Sequence, residues 1–195
     1  MRRMMTRALI VVVPVATVAA GLTIQTARGS TEVTAAMKDV GGADAGTVRL
    51  ELKRSGAEVI ARMTLPTSAA GFHGFHVHSK GVCDPGAVDP ASGAVAPFFS
   101  AGGHLGGGAG GQTHAGHDGD MPSLLVNSNG RAVLTFRTDR ATLSKILDAD
   151  GSAVIVHAGP DNFGNIPTRY SATGPDATTL NTGDSGGRML CGVLR

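Results

Sequence analysis

Seven histidines occur in a chain of 195 residues in which only 4% of the residues are aromatic. They form three groups along the sequence: His73, His76 and His78; His104, His114 and His117; and His157. A neutral imidazole can bind a metal through one ring nitrogen while the other donates a hydrogen bond. A lone histidine is more often a structural residue, but this grouping favours metal binding.

The spacing of His76 and His78 suits two ligands on one strand. Residues i and i+2 of a β-strand point to the same face, and two imidazoles there can share one metal about 2.0 Å from each nitrogen. The same spacing is also compatible with a surface strand. His157 directly follows the apolar run Ala153–Val156. It therefore ends a predicted buried strand, where it either enters a site or caps the core.

The middle group combines His104, His114 and His117 with Asp120. Three histidines and a carboxylate close together on a flexible loop can surround a tetrahedral zinc ion, whereas coordination by nitrogen alone suits copper. Asp118 offers a competing carboxylate. Six histidines and one aspartate can serve two metals if one imidazolate bridges both.

Hydrophobic residues alternate with polar ones along much of the chain, which predicts strands with one buried face. Residues 48–52 and 59–63 form one predicted hairpin. Residues 124–126 and 133–136 form a second predicted hairpin around a turn at 127–130.

Ala153–Val156 and Met189–Leu194 are further predicted strands, and Thr142–Leu147 suits one helical turn. The fold class is therefore all-β, a sandwich or flattened barrel. Two long glycine-rich stretches, 81–122 and 158–187, hold or adjoin most of the histidines. Because structureless loops of this length are usually functional or disordered, we interpret these two as functional loops.

The first 27 residues have the pattern of a secretory signal peptide. A basic start with Arg2, Arg3 and Arg7 precedes an apolar stretch from Ala8 to Leu22, and small residues follow. Cleavage near residue 20 or 27 would leave a domain of residues 28–195, preceded by a flexible join at 23–31. The alternative is an uncleaved membrane anchor, although the stretch is short for a span and Pro14 interrupts it. We expect an exported protein, secreted or on the periplasmic side of the cell envelope.

Charge and cysteine content narrow the function further. Without the leader, 14 of the 17 basic residues remain against 15 acidic ones, so nothing favours a nucleic-acid partner. The two cysteines, Cys83 and Cys191, predict one disulfide in an oxidising compartment, with two buried free thiols as the alternative.

Two separate motifs carry a resemblance to a known family. Residues 71–78, GFHGFHVH, resemble the copper-binding signature of the copper,zinc superoxide dismutases, and residues 188–193, RMLCGV, resemble the C-terminal motif of that family. The resemblance covers about residues 32–195 in the same motif order and is closest to an exported bacterial branch. It implies a Greek-key β-barrel or sandwich with two long functional loops.

The resemblance also implies roles for individual residues. The copper ligands would be His76, His78, His104 and His157. The zinc ligands would be His104, His114, His117 and Asp120. Asp161 would link ligands of the two metals and His73 would support the site, while Cys83 and Cys191 would form the disulfide. One departure from the family is that His114 and His117 are only three residues apart.

The implied activity converts superoxide to dioxygen and hydrogen peroxide at a copper site bridged by histidine to zinc. Arg188 would guide the superoxide anion, and His104 would carry a proton. The alternative is a non-catalytic copper-binding or copper-buffering protein on the same fold. We expect superoxide as substrate and a homodimer, with a monomer as the alternative.

Overall fold

The computed structural model describes residues 31–108 and 111–195, so the predicted signal peptide lies outside the described part. The elements in chain order are β1 Thr31–Asp39, β2 Asp44–Lys53, β3 Gly56–Thr64, β4 Gly71–His73, β5 Phe75–His78, β6 Leu124–Val126, β7 Arg131–Thr138, α1 Leu143–Ile146, β8 Ala153–His157, α2 Ala177–Thr182 and β9 Arg188–Val193. Two 3-10 turns lie at Thr67–Ala69 and Phe99–Ala101.

Seven strands form one curled antiparallel sheet in the order β5-β8-β9-β1-β2-β3-β7, and β4 pairs with β6. Neighbours in the sheet are often distant in sequence: β9 lies beside β1, and β7 lies beside β3. This order is the one that a Greek-key arrangement produces. The predicted all-β class is confirmed.

The alternation in the sequence becomes one buried face of the β2–β3 hairpin. Leu50 of β2 lies opposite Val59 of β3, and both are fully buried. Every second residue on each strand joins the same core: Val48, Leu52, Ala61 and Met63. Because burying a Leu or Val side chain stabilises the fold by about 1.5–3 kcal/mol, this face sets the strand register.

The second long loop is more ordered than its glycine content predicts. The sequence pattern predicts a loop over residues 158–187, but these residues include the helix α2. The Asp176 carboxylate accepts the Thr179 N–H at 2.8 Å and caps the first turn. Gly183, with φ of 61°, ends the helix. Of the predicted join at 23–31, only Thr31 belongs to the described residues, and it begins β1.

The predicted disulfide is confirmed, and it attaches the first long loop to the sheet. Cys83 and Cys191 are bonded, with Cα atoms 5.8 Å apart and a sequence separation of 108. The bond packs in a small second core that includes Phe98, Ala101 and Ile155. A cross-link over such a separation stabilises a fold by about 2–4 kcal/mol, chiefly by restricting the unfolded chain.

No helix in the described ranges is long and apolar enough to cross a membrane. The predicted helical turn near Thr142 is the short helix α1.

Candidate metal centre

The strand β5 separates the hydrophobic core from the histidines. Phe75 and Val77 belong to the main core, whereas His76 and His78 alternate with them and point to the other face of the sheet. His157 ends the neighbouring strand β8. Residues 153–156 of β8 pair with all four residues of β5. Strand alternation and pairing therefore bring three histidines together on one face.

The first long loop runs along the free edge of β5 and closes over this face. His104 lies opposite His78, and Asp120 lies opposite His76, each in a single antiparallel bridge. Backbone hydrogen bonds hold the loop there: Val77 donates its N–H to Gly119 at 2.9 Å and accepts the Leu105 N–H at 2.9 Å. The loop histidines are thereby brought against the strand histidines.

The first group of converging side chains has ligand atoms that all lie within 4.8 Å of one another: His76, His78, His104 and His157. His78 Nε2 and His157 Nε2 are 3.4 Å apart. Their Nδ1 atoms donate to the carbonyls of Gly102 and Gly186 at 2.9 and 3.0 Å. The Nε2 lone pairs are therefore directed at a common centre.

His76 follows the same rule with its nitrogens exchanged. Its Nε2 donates to Asp161 Oδ2 at 2.8 Å, while its buried Nδ1 has no hydrogen-bond partner. Buried polar atoms without a partner are rare and costly, so this nitrogen is chemically suited to a metal. Each of the three strand histidines thus uses one nitrogen for orientation and keeps one for binding.

These rings are held neutral, which is the form that binds a metal. Burial lowers the pKa of His157 to about 3, and the positive charges of neighbouring groups add to the effect. Burial likewise lowers the pKa of His104 to about 4, although Asp120 opposes the shift. The pKa values of His76 and His78 are also lowered, again chiefly by burial.

A second group converges on one oxygen of Asp120. The Nδ1 atoms of three histidines lie close to Asp120 Oδ1: His104 at 3.0 Å, His114 at 2.9 Å and His117 at 3.2 Å. One four-residue set here contains His76, His104, His114 and Asp120, with ligand atoms within 4.8 Å of one another. His117 adjoins this set through Asp120. Three imidazole nitrogens and a carboxylate oxygen form the donor set that zinc prefers.

His114 differs electrostatically from the strand histidines. Burial opposes its charged form, but the carboxylates of Asp120 and Asp161 outweigh burial and raise the pKa of His114 to about 9. The same contacts keep the pKa values of both carboxyl groups well below their ordinary range, despite burial. In the metal-free chain the two carboxylates that flank His114 therefore favour its charged form.

Asp161 joins the two groups. One oxygen accepts from His76 Nε2 at 2.8 Å, and the other accepts from His114 Nε2 at 2.8 Å. Sequence reasoning missed two residues that enclose this carboxylate. Phe163 donates its backbone N–H to Asp161 at 2.7 Å, and an added Cβ at Gly183 would overlap both Asp161 and His114. A glycine in a glycine-rich loop gives no sequence signal of such a contact.

Two residues near the site face away from it. His73 lies outside both groups of ligand atoms, and its ring nitrogens lie 2.8 Å from the carbonyl of His157 and 2.7 Å from that of Ala69. Asp118, the rival carboxylate, pairs with Lys145 at 2.6 Å. That ion pair directs Asp118 toward the helix α1 instead of the histidines.

Arg188 lines a cavity of about 900 Å³ that reaches the first group. Its guanidinium donates to the carbonyls of Phe98 and Gly102, the latter at 2.6 Å. Burial lowers the pKa of Arg188 to about 10, so the side chain stays charged at neutral pH. His78, His104 and His157 also line the cavity. The arrangement offers a cation beside an open metal-binding centre.

A curled Greek-key sheet carrying two adjoining sets of metal-binding side chains defines a metalloprotein with a two-metal centre. The sequence model described as "Copper/zinc superoxide dismutase (SODC)" matches residues 44–194, and the chain belongs to the copper/zinc superoxide dismutase family.

Individual proteins that are similar to this chain belong to the same family. The chain is 40% identical over 172 residues to "Superoxide dismutase [Cu-Zn]" of Mycobacterium tuberculosis, covering 85% of this chain and 71% of that protein. It is 30% identical over 193 residues to the protein of the same name from Deinococcus radiodurans, covering 94% and 95%. The solved Cu/Zn superoxide dismutase from Brucella abortus has a TM-score of 0.63 and 28% identity, covering 85% of this chain and all of that one.

The chain is therefore a superoxide dismutase of the copper/zinc type, an oxidoreductase whose substrate is superoxide. The two sets of converging side chains fit its copper and zinc cofactors. The alternative of a non-catalytic copper-binding protein is not favoured, because the relatives above are all named as superoxide dismutases.

Proposed function

We propose that His76, His78, His104 and His157 hold the copper of this enzyme, and that His104, His114, His117 and Asp120 hold its zinc. One observation carries the copper assignment: each strand histidine is fixed through one nitrogen while its other nitrogen faces a shared centre. Among the common protein ligands, imidazole is well suited to copper.

His104 is the residue that both sets share. Its Nδ1 lies 3.0 Å from Asp120 Oδ1, on the zinc side, while its ring lies 4.0 Å from the ring of His76 between centroids. Its position in the cavity wall leaves the other side of the ring facing the copper group. A bridging imidazolate needs this two-sided placement.

We assign His117, not His76, to zinc. The Nε2 of His76 is already bonded to Asp161, which leaves only Nδ1 for a metal. His117 Nδ1 lies 3.2 Å from the carboxylate oxygen on which the zinc group converges, and the side chain is buried. The loop turn that donates the His117 N–H to Asp120 at 2.9 Å fixes both residues together.

The protein supplies binding, orientation and protons for the reaction. Copper, when bound, supplies the one-electron couple that turns one superoxide into dioxygen and another into peroxide. Arg188 attracts the anion to the cavity and orients it, because a guanidinium keeps its charge and presents several N–H donors. His104 would give one proton to the peroxide product from the nitrogen that faces the copper side, at the stage when that nitrogen is not bound to the metal, and the second proton would come from solvent.

The direct test is a superoxide assay on protein of known metal content. Metal-free, zinc-only, copper-only and copper-plus-zinc samples would be compared after elemental analysis. We expect rapid superoxide removal only when one copper per chain is present. A sample that holds one copper and one zinc per chain but removes no superoxide would overturn the proposal.

We also infer that the mature chain is exported. The basic and apolar leader at residues 1–27 supports this, and so does the Cys83–Cys191 disulfide, since such bonds persist in oxidising compartments. Expression of the full chain followed by N-terminal sequencing would test it. A cleaved N-terminus near residue 20 or 27 outside the cytoplasm is expected, whereas an intact N-terminus in the membrane fraction would indicate an anchor.

We further infer a homodimer with an apolar contact on β4 and β6. Phe72 and Leu125 lie opposite each other across this strand pair and are 58% and 45% exposed. Exposed apolar pairs on a sheet favour association. Sedimentation of the mature protein should show a dimer that Phe72→Ser weakens. A wild-type monomer at micromolar concentration would contradict the inference.

A further inference from the structure

The Arg188 guanidinium, which lines the cavity, is held by groups that carry no charge. Two of its N–H groups donate to the backbone carbonyls of Phe98 and Gly102. In the part of the chain that the structure describes, every ion pair of an arginine or lysine involves a residue other than Arg188. The positive charge of this side chain is therefore not neutralised by a carboxylate.

Phe99 supplies a third neutral contact. The Cζ atom of Arg188 lies over the Phe99 ring, 5.4 Å from its centroid. An arginine within about 6 Å of an aromatic centroid is attracted by the electron-rich ring face. Phe99 and Arg188 line the same cavity beside His78 and His104. The ring therefore acts on the guanidinium where an incoming anion would meet it.

The two consecutive phenylalanines have separate tasks. The Phe98 side chain is buried in the small core around the disulfide, and its backbone has a left-handed conformation with φ of 62°. That backbone turns the Phe98 carbonyl to Arg188 and leaves the next side chain, Phe99, at the cavity wall with 39% exposure. The buried Phe98 side chain thus anchors the backbone that places the Phe99 ring against the guanidinium.

We propose that Phe99 is a positioning residue: its ring holds the Arg188 guanidinium over the cavity so that small monovalent anions are drawn to the copper side. This inference rests on the proposed role of Arg188. A carboxylate would also hold the guanidinium, but it would cancel the charge that attracts the anion. An aromatic face restricts the side chain and leaves its charge available.

Azide, a small monovalent anion, is the probe for a test that does not depend on turnover. Its affinity for the copper- and zinc-loaded protein would be measured by visible absorption in the wild type, Phe99→Leu and Phe99→Tyr. Leucine keeps apolar volume but removes the ring face, so azide should bind about three- to fivefold more weakly. Tyrosine keeps the face and should stay within about 1.5-fold of the wild type.

A second readout reports the contact itself. In zinc-loaded, copper-free protein, the Arg188 side-chain N–H proton signals should move downfield in Phe99→Leu, because they lose the shielding of the ring, and should return in Phe99→Tyr. Unchanged proton shifts in Phe99→Leu would overturn the contact. Copper content and melting temperature, which should match the wild type, establish that each variant is folded.

Combination with Arg188→Ala separates the two claims. If both are correct, Arg188→Ala weakens azide binding, and Phe99→Leu has no further effect in that background, as expected for two residues that act together. If Arg188→Ala leaves azide binding unchanged, the guiding role of Arg188 is wrong. If Arg188→Ala weakens binding but Phe99→Leu does not, only the positioning role of Phe99 is wrong.

Discussion

The two halves of the metal centre are built in different ways. In the proposed copper half, His76, His78 and His157 lie on paired strands whose alternate residues fill the main core. In the proposed zinc half, His114, His117 and Asp120 lie outside the strands, on the first long loop. The first half therefore takes its geometry from the sheet, and the second takes it from contacts between loops.

The loop contacts of the zinc half come from distant parts of the chain. His114 donates its backbone N–H to Leu180 of α2 at 2.7 Å, and Arg140 donates to the carbonyl of Ala115 at 2.7 Å. Asp161 reaches the same histidine from the second loop. Because the pairing of β5 with β8 continues over successive residues whereas these loop contacts are scattered, the proposed zinc half depends on more of the fold.

Exposure separates the halves as well. Three proposed copper ligands line the open cavity below Arg188, whereas His114 and His117 do not line it. The cavity therefore adjoins the proposed copper half and not His114 or His117. We accordingly expect the chemistry to belong to the strand-borne half and the loop-borne half to support and orient it.

The largest effect is expected from His157→Ala. Loss of a ligand that faces the cavity should lower the rate of superoxide removal more than about 100-fold, because changes to groups that merely orient ligands already cost 10–100-fold. Zinc content should persist. The measurement is the rate together with elemental analysis, and Tyr170→Ala, an exposed change in the second loop, is the control. A near-normal rate in His157→Ala would mean that His157 is not a copper ligand.

His117→Ala should affect zinc binding and stability more than the rate of superoxide removal. We expect loss of bound zinc and a lower melting temperature, but a loss in rate of less than about tenfold with copper retained, because this ring is away from the cavity. Calorimetry, metal analysis and the rate assay check these outcomes. A loss in rate as large as that of His157→Ala would break the distinction between the halves.

Gly183→Ala should weaken the link between the halves. The new Cβ would overlap Asp161 and His114, so the second loop must shift and zinc affinity should fall about tenfold. Gly174→Ala is the matched control, since Gly174 has φ of 74° in the same loop but open space around it. Both changes add about 1–2 kcal/mol of backbone strain. Equal zinc affinity in the two variants would refute the contact.

The halves should also respond oppositely to pH in the metal-free chain. Unfolded histidine titrates near 6.5. The lowered pKa values of His157 and His104 give stability that is full above 6.5 and is lost as the pH falls toward 4 and 3. The raised pKa of His114 gives stability that is full below 6.5 and is lost as the pH rises to about 9.

The melting temperature of metal-free protein should therefore be highest near pH 6.5 and fall by a few degrees on either side. His114→Gln should flatten the alkaline side while leaving the acid side in place. An alkaline decline that persists in His114→Gln would mean that another group causes it.

The sequence could predict the strand-borne half of the site better than the loop-borne half. The alternation around Val48–Leu52, the H-x-H pair and the position of His157 after an apolar run are local patterns, and the structure brings these residues together as expected. The fits of Gly183 against Asp161 and against His114, by contrast, depend on contacts between parts of the chain that are distant in sequence. No local pattern encodes such contacts, so these features could not be predicted.

We propose that copper and zinc occupy separate halves that share His104. Anomalous diffraction from crystals of the copper- and zinc-loaded protein, with data collected at both absorption edges, tests it most directly. We expect a copper peak bounded by His76, His78 and His157 and a zinc peak beside Asp120, with the His104 ring between them. Copper beside Asp120, or a single peak shared by both metals, would contradict the account.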